Sequence, residues 1–575
     1  MPELRPARLP LVPVVAAATA ALLALSGCGS SSPGGTSASP ATVVPAAAPL
    51  YIDAVVQPSG SLETDALTAG RRLTGHSNPY AGLLTLLQGP TGKAPDYASE
   101  VKPWLGPEGG VFLDSAAGAG TLAASSAAQE LLQQTLSKAL TEGYAGAEAA
   151  LLGSSGLPSL LGQSSLQGAL VLDTTDVDKA RSFLEAQAHS AGAHGVSYRG
   201  VTFEVASDGI AEGVVHRFAV IGSEAGVKSV IETAAGGASL AHASAYSKLA
   251  ATAEPGRLAN AYLDAEALTP SVKAGSLLAL LRGLLGQAGQ IYASLIPTAS
   301  SVALDVDTLP PASGAGSSGG ESTPTGAQVL QGLPGGAWLA VGVGDLGKDL
   351  GGGTQGLRTL ATLASEIKIG SFGIAKVFAP LSSPAIDVQR DLLSWMGPTG
   401  IYVGGSNLLD LQAAVVITSK NPALSRAAVA KLASAYREAG GETSPTSIPG
   451  TETAVTVKLP SFPLALTLAA GQGKFVFGLG EASIQEALSP QSTLAGSTLY
   501  NSAASALGGG IQPSAAIEFH VLEGLIESLG LSQAPGFSGI ASALQPLSSL
   551  TAGTGESLGD GVKRARVVLG LQASG

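Results

Sequence analysis

The apolar positions of this chain alternate between short continuous runs and stretches with helical spacing. The short runs are separated by turn residues and predict strands at 170–172, 201–205, 218–221 and 261–263. Between them, Val227, Val230 and Ile231 follow the i, i+3, i+4 spacing of a helix that buries one face. The pattern therefore predicts an α+β fold, with a largely antiparallel sheet and helices packed on one face.

Segments of the first half recur in the second half in the same order. VKPWLG at 101–106 is matched by LLSWMG at 392–397, ALVL at 169–172 by AVVI at 414–417, and RFAVIGSE at 217–224 by KFVFGLGE at 474–481. We therefore predict two tandem homologous repeats, at 45–308 and 330–571, joined by a Pro-, Ser- and Gly-rich linker at 309–329. Most of the extra length of the first repeat falls at 123–161, an Ala/Leu-rich stretch that predicts a helical insertion.

Local signals agree between the two predicted repeats. Asp176 and Asn421 each stand between a strand pattern and a helical pattern, where a short oxygen side chain caps free backbone amides. Trp104 and Trp395 each begin a Trp-x-Gly turn, and we interpret both as anchors of the hydrophobic core.

The N-terminus has the composition of an export signal. Arg5 and Arg8 precede an apolar run at 9–25, and the string LSGC follows at 25–28. This string resembles a bacterial lipobox, in which the signal is cut just before a cysteine that receives a lipid. The resemblance implies a signal peptide at 1–27, cleavage between Gly27 and Cys28, and an acyl anchor on the Cys28 thiol.

A plain secreted protein and an uncleaved membrane helix are the alternatives to this lipoprotein hypothesis. Pro10 and Pro13 shorten the usable helix, so a membrane span is the weaker explanation. Residues 28–44 are rich in Ser, Gly and Pro and predict a flexible tether. We expect the protein to be exported and held at the outer face of the cell membrane by its lipid.

Composition narrows the function classes. Only 13% of the 575 residues are charged, 45% are hydrophobic and the net charge is −12, so the chain lacks the basic surface that nucleic acid binding requires. The single cysteine excludes an internal disulfide and a cysteine-rich metal site. No nucleic acid partner, metal or other cofactor is expected.

Two motifs match nucleotide-binding or hydrolase patterns only in part. The string GVGDLG at 342–347 fits G-x-G-x-x-G, but the glycines at 351–353 follow where a helix should begin. The string GESLG at 555–559 fits the nucleophile elbow, yet a strand pattern from Val562 follows instead of a helix. Neither motif predicts a catalytic site.

The remaining polar candidates have structural explanations. His189 and His194 flank a small-residue turn and are interpreted as solvated, and Glu224 and Glu481 occur where helices are predicted to start, where they stabilise the helix dipole. Asp305 and Asp307 alternate with an apolar residue on the last predicted strand of the first repeat, which predicts an outward-facing pair. We therefore predict no catalytic residues and expect that the protein is not an enzyme.

Four stretches of the chain resemble a known family. The strings YIDA at 51–54, VKPWLG at 101–106 and SYRGV at 197–201, with the stretch 217–263, are similar to bacterial extracellular proteins grouped as domain of unknown function family 3352. The likeness is densest in the first repeat, and the second lacks a Tyr-Arg-Gly string. The resemblance implies an envelope-associated protein and supplies no catalytic residues.

Our leading hypothesis is a lipid-anchored cell-envelope protein with a non-enzymatic binding or scaffolding role. The membrane, through Cys28, and an envelope protein or hydrophobic ligand are the expected partners. The alternative is a carrier of a hydrophobic or lipid ligand, suggested by the mean hydropathy of +0.32 and by the apolar stretch 277–285. An enzyme whose site is assembled between the repeats is a third hypothesis.

Overall fold

The computed structural model describes residues 38–74, 95–114, 167–268, 289–311, 325–345, 385–407, 409–460, 464–528 and 544–573, with a few isolated positions between these ranges. These residues form a mixture of helices and strands with a large antiparallel sheet. They divide into two compact units. The first lies within Pro13–Ala315 together with Ser557–Arg564, and the second within Gly316–Glu556 together with Ala565–Gln572.

The first unit is built mainly from strands. Its strands are β1 (Leu50–Val55), β2 (Leu105–Leu113), β3 (Gly168–Thr174), β4 (His194–Tyr198), β5 (Val201–Val205), β6 (Ile210–Val215), β7 (Phe218–Ser223), β8 (Ala259–Asp264), β9 (Gln290–Pro297) and β10 (Ser301–Leu309). Its helices are α1 (Ser61–Thr74), α2 (Val177–Ser190), α3 (Glu224–Ala234), α4 (Ser244–Thr252) and the short α5 (Ala265–Leu268), with a π-helical turn at Tyr97–Val101.

The strands of the first unit pair antiparallel in the order β10-β9-β8-β1-β2-β3-β7-β6-β5-β4. The central β3 is buried at every position. A strand that is apolar and buried throughout needs cover on both faces of its sheet.

The first described element of the second unit is a short helix, and its last strand begins with two residues, Lys563 and Arg564, that belong to the first unit. Its strands are β11 (Ala337–Asp345), β12 (Lys368–Ile369), β13 (Phe372–Gly373), β14 (Met396–Gly404), β15 (Gln412–Ser419), β16 (Glu442–Pro445), β17 (Thr453–Lys458), β18 (Leu466–Gly471), β19 (Lys474–Leu479), β20 (Gln512–Glu518), β21 (Leu547–Ser557) and β22 (Lys563–Leu571). Its helices are α6 (Gly326–Gln331), α7 (Pro422–Glu438), α8 (Gly480–Leu488), α9 (Thr498–Leu507) and α10 (Phe519–Ser528), with a π-helical turn at Val388–Leu393.

The strand order of the second unit is β16-β17-β18-β19-β15-β14-β11-β20-β21, again antiparallel throughout. In the first unit the corresponding order is β4-β5-β6-β7-β3-β2-β1-β8-β9. Each unit thus takes the same path through its sheet when it is followed from its first strand.

Helices cover both faces of the sheet in the second unit, so the prediction of helices on one face is wrong. Val416 and Ile417 are neighbours in β15 and point to opposite faces. Val416 lies in a core cluster with Ile484 of α8, whereas Ile417 lies in a different cluster with Val429 of α7. The unbroken apolar run at 414–417 carries this information, because a strand with one solvated face alternates apolar with polar residues.

The predicted helix caps and core anchors are confirmed. The Asp176 side chain accepts a hydrogen bond from the Lys179 amide at the start of α2, and Asn421 accepts two at the start of α7. Trp104 and Trp395 are 1% and 0% exposed. Each indole donates to a backbone oxygen of the π-helical turn before it, over 2.7 Å to Glu100 and 2.6 Å to Asp391.

Several sequence predictions lie outside the described residues. They are the signal peptide at 1–27, Gly27, Cys28, the tether up to residue 37, most of the insertion at 123–161, the apolar stretch at 277–285 and most of the linker. The prediction of a flexible tether is wrong for residues 38–44. They contain a short 3-10 helix at Pro40–Thr42, and the apolar Ala41, Val43 and Val44 are buried in the core of the first unit. Within the part of the chain that the structure describes, no helix is both long and apolar enough to cross a membrane.

Candidate functional site

A pocket of about 320 Å³ opens in the first unit between α2 and the strands β5 and β6. The helix contributes Arg181 together with Leu184 and Glu185, which lie three and four residues after it and therefore one turn along on the same side of the helix. The strands contribute Glu204 and Glu212 among others. The full lining is Arg181, Leu184, Glu185, Gly200, Val201, Thr202, Phe203, Glu204, Glu212, Gly213 and Val214.

The β4–β5 hairpin forms part of the pocket's rim. Its two-residue turn is Arg199 and Gly200, both with positive φ, at 48° and 82°. Two positive φ values in succession are typical of the type I′ turn that joins adjacent antiparallel strands. The Tyr-Arg-Gly string of the sequence is therefore a tight hairpin turn, and its glycine and the following Val201 line the pocket.

Side chains around this turn hold the hairpin to α3. Arg199 Nη2 lies 3.6 Å from a carboxylate oxygen of Glu232, and the Tyr198 hydroxyl donates to the same carboxylate. Lys228 Nζ stands 5.4 Å from the centre of the Tyr198 ring. These contacts, although partly exposed, fix the strand from which the rim of the pocket is built.

The pocket concentrates negative charge. Glu204 and Glu212 are direct cross-strand partners in β5 and β6, and like charges in such positions repel. Burial, together with the nearby carboxylates of Asp208 and Glu204, raises the pKa of Glu212 to about 7. Arg181 is the one cation in the lining, and its guanidinium is 2.9 Å from the Asp178 carboxylate.

A cation would relieve this repulsion, and side chains of the pocket could supply its ligands. Among the described residues, however, no group of three or more His, Cys, Asp or Glu side chains has the arrangement of a metal site. The lining combines its carboxylates with apolar surface from Leu184 and Val214. The Phe203 side chain points to the opposite face of the sheet, because it lies in the core cluster that contains Val227 of α3. Such a lining can pair a positive charge and cover an apolar group at the same time.

A second polar assembly is buried on the sheet of the same unit. Two cross-strand rows run over β1, β8, β9 and β10: the first is Tyr51, Tyr262, Tyr292 and Asp307, and the second is Asp53, Asn260, Ser294 and Asp305. Tyr246 of α4 packs edge-on against three rings, with centroid distances of 6.0, 5.4 and 5.9 Å to Tyr51, Tyr262 and Tyr292. We call these residues the tyrosine–aspartate cluster.

Asp53 is the most perturbed carboxyl group of this cluster. Asp53 as a whole is partly exposed, but its Oδ1 atom is buried. This atom, like the hydroxyl of Tyr51, has no hydrogen-bond partner among the described residues. Burial, opposed by Asn260 and Arg257 and supported by Glu108, raises the pKa of Asp53 to about 7. The neutral acid is therefore populated near neutral pH.

One arginine pairs with the two aspartates at the end of the rows. Arg564 belongs to the segment Ser557–Arg564 of this unit, and its Nε and Nη2 lie 2.7 Å from the Asp307 carboxylate. Nη1 lies 3.5 Å from Asp305 and 2.8 Å from Glu254. All three of Asp305, Asp307 and Arg564 are buried. The prediction that these aspartates face outward is wrong, because the chain supplies their counter-charge from a distant segment.

Comparison with known proteins identifies the family. The chain matches the family described as "Protein of unknown function (DUF3352)" over residues 11–515. It belongs to that family. No curated protein and no solved structure matches it.

The partial motifs of this DUF3352 protein lie on strands. Gly342 to Asp345 continue β11 and so do not form the turn into a helix that a dinucleotide site requires. The serine of the GESLG string is the last residue of β21, and β22 begins at Lys563. Both strings thus lack the strand–turn–helix geometry of their motifs.

The other polar residues singled out in the sequence of the DUF3352 protein are also placed. His189 and His194 are exposed, as predicted. Glu224 begins α3 and Glu481 lies in the first turn of α8, which confirms their positions at helix starts. Cys28 and Gly27, the only site residues predicted from the sequence, lie outside the described residues.

Sequence reasoning did not find the pocket or the tyrosine–aspartate cluster. The pocket had one signal, since Glu204 and Glu212 are polar positions in strands on either side of a short turn. The tyrosine–aspartate cluster had a weaker signal, in the pairs of polar residues spaced two apart in β1 and in β8 to β10. Neither signal gives the pairing of strands that brings these residues together.

Proposed function

We propose that the protein is a lipid-anchored component of the cell envelope that binds a small ligand without converting it. The pocket between α2 and β5–β6 carries this proposal. Its volume of about 320 Å³ falls at the lower end of the range of small-molecule sites, and charged side chains lie beside apolar ones in its lining. Cys28 would receive the anchor, with Gly27 as the last residue removed.

A carrier of a hydrophobic or lipid ligand is less well supported. Sites for such ligands are mostly apolar, whereas Arg181, Glu185, Glu204 and Glu212 all line this pocket. Binding of an envelope protein in a scaffolding role would use the surface rather than the pocket. Native mass spectrometry of the full chain distinguishes between these roles.

We also propose that the two units arose by duplication of one α+β unit. Their identical strand order supports this, and so does the geometry of their tryptophan loops. In each unit an aspartate, Asp96 or Asp387, caps the π-helical turn, and the tryptophan that follows donates to that turn. The same capped turn and tryptophan hydrogen bond, in the same position of two sheets, are explained most simply by common ancestry.

Native mass spectrometry of the full chain, purified from envelopes, tests the binding role. We expect a non-covalent adduct of small mass that disappears in Thr202→Trp, in which a larger side chain fills the pocket. Ser444→Trp, an exposed position of β16, is the matched control and should keep the adduct. Incubation should leave the bound compound unchanged. A clean mass for the unaltered chain, or an adduct that Thr202→Trp retains, would refute the proposal.

The anchor is tested separately by labelling with a radioactive fatty acid. The unaltered chain should take up label and Cys28→Ala should not. Equal labelling of the two chains, or no labelling of either, would contradict the assignment of Cys28.

A further inference from the structure

The pocket's charges select among ligands. Glu185, Glu204 and Glu212 contribute three carboxylates, and the only cation in the lining, Arg181, is already paired with Asp178. An anionic ligand would meet repulsion from these carboxylates. A neutral ligand would leave the two facing glutamates of β5 and β6 without a counter-charge.

The pocket's shape and apolar surface limit the ligand further. Leu184 is buried beneath it, and Val214 lies beside it. At about 30 Å³ for each water-sized group, a volume of 320 Å³ holds about ten non-hydrogen atoms. The ligand therefore has room for one charged group and a short apolar or aromatic part.

We propose that the pocket binds a small organic monocation, an ammonium or guanidinium group joined to a compact apolar moiety, between the carboxylates of Glu204 and Glu212. This inference rests on the proposed binding function and names the class of ligand for the same pocket. The cation would stand against the paired strands β5 and β6, with Glu185 of α2 on the opposite side and the ligand's apolar part toward Leu184 and Val214.

Proton competition follows from the same arrangement. The charged groups that face Glu212 are Glu204 on β5, Asp208 in the β5–β6 turn, and Arg181 and Glu185 on α2; the position opposite it in β7 is the apolar Ile221. Because the acidic neighbours and burial raise the pKa of Glu212 to about 7, a proton occupies this carboxylate below that pH. A cation then competes with the proton, and its affinity falls with falling pH.

Calorimetry with three matched probes tests the proposal on the full chain. The probes are benzylammonium, benzyl alcohol and benzoate, which share one ring and differ in charge. At about pH 8 we expect benzylammonium to bind at least about tenfold more tightly than either of the others, a factor that corresponds to about 1.4 kcal/mol. The preference should shrink at about pH 5.5, where Glu212 is protonated, although the probe keeps its charge.

Variants assign the effect to the pocket. Glu212→Gln and Glu204→Gln should each weaken benzylammonium binding about fivefold or more at the higher pH, and Glu212→Gln should also remove most of the pH dependence. Glu442→Gln, an exposed position of β16, is the control and should change neither. Circular dichroism establishes that each variant is folded.

The outcomes separate the two proposals. Tighter binding of benzyl alcohol or benzoate, lost in Thr202→Trp, would overturn the cationic ligand class and leave the binding function standing. Tight binding of Mg²⁺ or Ca²⁺ alone, lost in the glutamine variants, would also overturn the organic class. Binding of no probe, together with a clean native mass for the unaltered chain, would overturn the binding function itself.

Discussion

The buried carboxyl of Asp53 makes the stability of the first unit depend on pH in an unusual direction. Its pKa rises from 3.8 to about 7 on folding, chiefly through burial. A carboxyl with a raised pKa in the folded state binds its proton more tightly there than in the unfolded chain. The contribution of Asp53 to stability is therefore greatest below about pH 4 and is lost as the pH rises through about 7.

The size of this effect follows from the pKa difference. Each pKa unit is worth about 1.4 kcal/mol, so the difference sets an upper limit of about 4 kcal/mol lost above pH 7. The residue is partly exposed, which reduces the effect, and we expect about 2 kcal/mol. Asp53→Asn removes the charge and nearly preserves the shape. It should stabilise the first unit by that amount at about pH 8 and have little effect at about pH 4.

Urea unfolding followed by the fluorescence of Trp104 measures this difference. The chain has three tryptophans, so Trp338 and Trp395 of the second unit are replaced by Phe in both proteins under comparison. Asp178→Asn, whose side chain is 90% exposed, is the control and should show no such pH dependence. An Asp53→Asn protein that is less stable than its parent at about pH 8 would refute the reasoning, because it would mean that the charged form is stabilised by folding.

Two further substitutions test the packing of the same unit. Arg564→Met leaves Asp305 and Asp307 buried without their counter-charge and should destabilise the unit by about 3 to 5 kcal/mol, as measured by the urea midpoint. Replacing both aspartates by Asn in the same protein should recover most of the loss. No recovery would contradict the ion-pair explanation. Gly110→Ala should lower the free energy of unfolding by about 1 to 3 kcal/mol, because a Cβ there would lie 2.7 Å from the Tyr51 ring. Gly70→Ala, whose Cβ would meet no atom within 4 Å, should be neutral or slightly stabilising. Equal effects of the two substitutions would refute the close contact.

Local structure could be predicted from the sequence where its cause is local. The caps at Asp176 and Asn421 and the burial of Trp104 and Trp395 follow from signals within a few residues of each position. The recurrence of segments is also visible in the sequence, although it does not specify a strand order.

What the sequence does not determine depends on pairing between distant segments. Asp305 and Asp307 have the alternation of a solvated face, and their burial depends on Arg564. This arginine is more than 250 residues away in the chain but 3.5 Å from Asp305 and 2.7 Å from Asp307 in the fold. Likewise, Glu204 and Glu212 become a facing pair only through the register of β5 with β6. Helices on both faces, by contrast, have a local signal in the sequence, the unbroken apolar run at 414–417.

Hydrogen exchange of the full chain, with and without benzylammonium at about pH 8, tests the central claim most directly. Binding in the pocket between α2 and β5–β6 predicts slower exchange in peptides that cover Val177–Ser190, Val201–Val205 and Ile210–Val215, and no change in those of the second unit. The protection should vanish in Thr202→Trp. Unchanged exchange in these three segments at a saturating concentration of the probe, or protection that persists in Thr202→Trp, would contradict the account.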